Sequence, residues 1–116
     1  MLQIENITQN QTLIDNGRVA NNPLSRFRGL MGVRSLKRGE GLLIEPCDNV
    51  HTHFMRIPID VIYVDAEHRV VHIDPVMLPW RIGRRQPKAR YVIETPSGGA
   101  AASNTKVGDQ LKLVVS

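Results

Sequence analysis

The 116-residue chain is short of the residues that staple or anchor a protein. It has one cysteine, Cys47, which excludes an internal disulfide framework, so the fold must stand on burial and hydrogen bonding. An unpaired thiol fits a reducing compartment. No run approaches the roughly 18 apolar residues that a bilayer crossing demands. The opening Met1-Leu2-Gln3-Ile4-Glu5-Asn6 has neither the basic start nor the apolar stretch of a secretory signal. These absences lead to the expectation of a cytoplasmic protein with no membrane association.

What is present is ordinary for a globular domain, with 41% hydrophobic and 22% charged residues. The length suits one domain over residues 1–116. A net charge of +4 and a pI near 9.7 open the question of an anionic partner, nucleic acid included. A small excess of Lys and Arg is equally what a solvated surface carries.

The first 20 residues read as β structure. Asp15-Asn16-Gly17 suggests a tight hairpin turn between Thr12-Leu13-Ile14 and Arg18-Val19-Ala20, because Asn-Gly tolerates positive φ. Asn22 and Pro23 then predict a capped helix start. Leu24, Phe27, Leu30 and Met31 fall on one face of that helix, which Gly29 and Gly32 end, and the helix is expected to plug or cover one end of a sheet. Leu42-Leu43-Ile44 is a short strand after a glycine turn.

Ile59–Val64 and Val70–Ile73 are rich in β-branched residues around a polar 65–69 turn, the clearest hairpin in the chain. Their nearly continuous apolar character implies cover on both faces. Pro75, Pro79 and Pro87 keep residues 75–90 out of regular ladders, leaving a long basic loop around Trp80. Tyr91-Val92-Ile93-Glu94 resumes the sheet, residues 96–104 form a turn with one helical turn, and Gln110–Val115 closes the chain as an edge strand. An exposed edge is compatible with a monomer or a weak dimer.

The densest chemistry lies between Cys47 and Asp65. If residues 47–53 are extended, Cys47, His51 and His53 share one face, the ligand types that zinc or copper prefers. No cofactor is predicted, with that metal set as the alternative. Cys47 as nucleophile and His51 as base stand about 13 Å apart on a straight strand, too far for a hydrogen bond. Asp60 opens an apolar strand and needs donors, for which Arg56, His51 and the Thr52 hydroxyl are candidates. Phe54 and Met55 read as core. Trp80, beside Arg81, Arg84 and Arg85, reads either as a lid over a barrel mouth or as a stacking surface.

Several motifs together resemble one family. They are Arg26-Phe27-Arg28-Gly29-Leu30-Met31-Gly32, Glu40-Gly41-Leu42-Leu43-Ile44 with Pro46-Cys47, Val50-His51-Thr52, and Phe54-Met55-Arg56-Ile57-Pro58-Ile59-Asp60-Val61. Pro79-Trp80-Arg81, Val92-Ile93-Glu94 and Gly108-Asp109 continue the pattern. From about residue 18 onward the chain resembles the DUF192 family of small uncharacterised proteins. The resemblance implies an α+β, mainly β domain, a small curved sheet or partial β-barrel with one or two short helices. Many relatives carry a leader that this sequence does not show. His51 belongs to one branch of the family, and His53 departs even from that branch.

Three functional classes follow. The first is a small-ligand binding or accessory module with a pocket formed by His51, Thr52, Met55, Arg56, Asp60, Trp80 and Arg81, taking a carbohydrate or other small polar ligand. The second is a metal-dependent or acid–base enzyme using Cys47, His51, His53 and Asp60. The third is an interaction protein that meets an anionic partner, nucleic acid included, through the basic 81–90 loop.

Overall fold

All six residues of Ile59–Val64 are buried, so this strand has protein on both faces. It is β4 of a computed structural model that describes residues 1–116. The other elements are β1 (Leu2–Asn6), β2 (Gln11–Ala20), α1 (Pro23–Arg28), β3 (Glu40–Ile44), β5 (Val70–Met77), β6 (Tyr91–Pro96), α2 (Gly99–Ala102) and β7 (Leu111–Val115). The strands form one seven-stranded sheet in the order β5-β4-β6-β3-β2-β1-β7. It curls until its two ends meet at an isolated bridge between Arg69 and Gln110, giving the mainly β half-barrel the resemblance implies. No helix is long and apolar enough to cross a membrane.

Strand alternation divides the apolar residues between two cores. Ile62, Val64, Tyr91 and Ile93 join Leu2, Ile4, Ile14 and Leu43 on one face. Val61, Tyr63 and Val92 face the other way, toward Leu30, Leu42, Ile44, Val50 and Met55. The second core is covered by the irregular 29–36 and 45–58 segments rather than by strands. The β4–β5 hairpin and the β7 edge fall where the sequence places them.

Three local expectations are corrected. Asp15-Asn16-Gly17 is not a turn: β2 runs straight through it, and the β1–β2 turn lies at Ile7–Asn10, with Asn10 at φ 55°. Gly17 is needed for close approach, since a Cβ there would lie 2.8 Å from Ile14 Cγ2 and 3.2 Å from the Leu2 carbonyl. Around it β2 changes partner, from antiparallel β1 to parallel β3. Next, α1 has the expected start, an Asn22 cap with a reciprocal Ser25 bond and Pro23 in the first turn, but it buries none of its residues. Leu24 and Phe27 point to solvent, and the helix serves as a rim. Finally, β5 continues through Pro75 to Met77. It is an edge strand with a register shift opposite Ile59–Val61, so the missing N–H interrupts no obligatory ladder bond.

Candidate functional site

Glu94 is the most unusual side chain in the molecule. It shares the Val92 face of β6 and therefore points into the second apolar core, 3% exposed. Burial pushes its carboxyl up from an ordinary 4.5 to about 7. One oxygen, Oε1, finds no hydrogen-bond partner in the protein. Gly29 covers it from above: at φ 50° and ψ −126° it ends α1 in a conformation suited to glycine, and a Cβ there would lie 3.7 Å from Oε1.

The carboxyl faces a recess of about 60 Å³ lined by Arg26, Phe27, Gly29, Leu30, Met31, Cys47, His51 and Met55, among others. That is room for a few water molecules or one small functional group, far below the roughly 300–1,000 Å³ of a pocket that swallows a drug-sized ligand. Arg26 is held at the rim by a 3.2 Å bond from Nη1 to the Pro46 carbonyl. Its Nε is buried and unpaired. Arg26 and Glu94 therefore both line the recess, and each has a buried polar atom without a protein partner.

Cys47 packs against the second core with its Sγ 3.0 Å from the Asn49 carbonyl. Burial raises its pKa, so it is held as a thiol. His51 Nδ1 accepts from the His53 backbone N–H at 3.3 Å, which places the ring proton on Nε2. The ring packs between Phe27 and His53. Cys47, His51 and His53 therefore do not form the metal cluster the extended-strand reading suggests. No group of three or more His, Cys, Asp or Glu side chains is arranged to hold a metal ion. Residues 47–53 are irregular rather than a strand, with the two histidine rings packed on each other and the Cys47 thiol turned to the Asn49 carbonyl.

The structure brings Cys47, His51 and Met55 to the recess and leaves the other expected residues elsewhere. Asp60 is buried, with Oδ1 taking the Val76 N–H at 2.9 Å and Oδ2 the Ala100 N–H at 3.0 Å. It ties the kinked end of β5 to the start of α2, and its partners are backbone groups rather than Arg56, His51 or Thr52. Thr52 is also buried and acts as a clasp. Its N–H donates to the Arg81 carbonyl and its carbonyl receives the Trp80 N–H, at 2.8 and 2.9 Å. Its hydroxyl donates to the Leu78 carbonyl at 2.6 Å and accepts the Arg81 N–H at 2.8 Å. Arg56, Trp80 and Arg81 are exposed, and so is Phe54, contrary to its reading as core. In the basic loop, Arg85 is paired with Asp48 at 2.8 Å and Arg90 lies 3.6 Å from Glu45.

Sequence reasoning passed over Glu94 and Arg26 as site residues. The available signal was a carboxylate at the end of the apolar run Tyr91-Val92-Ile93, where every neighbour favours burial.

The curled sheet with a short helix at its rim and a buried carboxyl inside defines a small mainly β domain. The DUF192 family model, described as "Uncharacterized ACR", matches residues 5–113, and the chain belongs to that family. It is 33% identical over 112 residues to a UPF0127 protein of Pyrococcus furiosus, covering 92% of this chain and 94% of that one. A solved protein of unknown function from Novosphingobium aromaticivorans shares the fold with a TM-score of 0.83 at 21% identity, over 96% of this chain and 82% of that one. A Sinorhizobium meliloti structure does so with a TM-score of 0.81 at 19% identity, over 96% and 90%. At these identities the solved structures speak for fold alone.

Proposed function

We propose that the protein is a small-ligand binding or accessory module whose Glu94 recess takes one polar group of its ligand. The observation that carries this reading is a pair of residues lining one recess, Glu94 and Arg26, each with a buried, unpaired polar atom, Oε1 and Nε. Unpaired buried polar atoms cost about 1–3 kcal/mol each, and a ligand that satisfies both recovers that free energy on binding. Near neutral pH a carboxyl with a pKa of about 7 both donates and accepts, while Arg26 Nε only donates. The complementary group carries a donor and an acceptor close together, as a sugar hydroxyl or a primary amide does. Met31, Met55 and Phe27 supply apolar walls.

Thermal unfolding against a panel of monosaccharides, polyols and primary amides tests this. A binder at about 100 times its Kd adds about 2.7 kcal/mol and raises the Tm by several degrees. The rise is lost in Glu94→Leu and partly kept in Glu94→Gln. Silence of the wild type across the panel, or an undiminished rise in Glu94→Leu, contradicts the reading.

A further inference from the structure

The rings outside the core line up. Phe27, His51, His53, Trp80 and Phe54 form a continuous series with successive centroid separations of 6.1, 5.1, 5.5 and 4.8 Å. Phe27, Trp80 and Phe54 are 66%, 55% and 62% exposed. Phe54 and Trp80 sit at φ 63° and 64°, a region bulky residues rarely adopt. The Thr52 clasp holds their two segments together. Backbone strain that keeps two large rings at the surface runs against what stability alone favours.

The segments that carry this series are basic, with Asp48 and Asp74 at their margins. Residues 24–38, 49–58 and 75–90 supply all five rings, and they hold 11 of the chain's 15 Lys and Arg and none of its 11 Asp and Glu. Arg28, Arg56, Arg81 and Arg84 are exposed, with no carboxylate within salt-bridge distance.

We propose that this strip binds single-stranded nucleic acid, with bases stacked on the exposed rings and phosphates paired with the guanidinium groups. A duplex would use the charge but hide its base faces, and a neutral glycan would use the rings but leave the charge idle. The strip shares Phe27 and His51 with the recess but does not need Glu94, so it stands or falls separately from the ligand reading.

Trp80 is the sole tryptophan and reports directly. The probes are oligothymidylate and oligouridylate of about 12 nucleotides, with heparin as an anion that lacks bases. Both oligonucleotides are expected to quench Trp80 fluorescence with a Kd on the order of micromolar at low salt. Engagement of about four phosphates weakens binding roughly 50-fold between 50 and 200 mM salt. Trp80→Ala costs about tenfold by anisotropy, while Trp80→Phe keeps most of the affinity. The Arg56→Gln/Arg81→Gln double variant weakens binding and flattens the salt dependence, and Glu94→Leu changes neither. The tighter of the two oligonucleotides identifies DNA or RNA as the source. Lack of binding to both at 50 mM salt overturns the proposal, as does affinity unmoved by Trp80→Ala in a variant that melts like the wild type. Tighter binding of heparin with equal quenching assigns the strip to an acidic polysaccharide instead.

Discussion

Two buried carboxylates in this domain have opposite characters, and the difference lies in their partners. Asp60 receives two backbone N–H groups, so its burial is compensated. Removing it in Asp60→Ala leaves both donors stranded and is expected to cost about 2–4 kcal/mol in denaturant unfolding. Glu94 has an oxygen without a protein partner and keeps its proton instead. Replacing Glu94 with Gln is therefore expected to be neutral near pH 4 and stabilising at pH 8, by up to about 3 kcal/mol, the equivalent of the pKa displacement. From sequence, both residues looked like carboxylates in apolar strands. Asp60 drew notice because it follows Pro58, whereas Glu94 lay at the end of an unremarkable strand. The Asp60 partners supplied by α2 and the far end of β5, and the Gly29 backbone set over Glu94, are long-range facts that local pattern does not encode.

Among the elements, the legible ones were those whose pattern is set by their own residues. Asn22-Pro23 specified the start of α1 through a cap, and the β-branched runs specified β4 and β5. Where tertiary contacts overrule local preference, the reading failed. Asn16-Gly17 has turn chemistry, yet here glycine serves the packing of β2 against Ile14 and Leu2. The apolar spacing of Leu24 and Phe27 suggested an inward stripe, but α1 lies on the rim and turns those side chains outward. The 75–90 loop owes its order to Thr52, which binds Leu78, Trp80 and Arg81 together. Thr52→Val keeps the shape and loses the hydroxyl, so it is expected to cost about 1–3 kcal/mol. Trp80 fluorescence anisotropy should fall in that variant as the loop loosens, and unchanged anisotropy would remove Thr52 from its clasp role.

Across the protein as a whole, the buried acids give stability a definite pH profile. The folded chain holds the Glu94 proton to higher pH than the unfolded chain does. Its contribution is thus fully present below about 4.5 and is lost as pH rises through 7. Asp109 acts in the opposite sense at lower pH. Burial raises its pKa, but hydrogen bonds from Asn6, the Lys106 N–H and Gln9 outweigh this and hold it below 3.8. Its contribution is lost only as pH falls through that lowered value. Urea unfolding of the wild type is therefore expected to be most stable near pH 4–5 and weaker at pH 8, with the upper decline absent in Glu94→Gln.

The account rests on Glu94 being a protonatable carboxyl enclosed beside the recess. Its side-chain carboxyl carbon, followed by NMR through a pH titration of the full chain, measures this without any ligand. A midpoint of about 7 is the predicted result. A midpoint at the ordinary 4.5 would mean a solvated or fully paired carboxylate, and would contradict the site built around it.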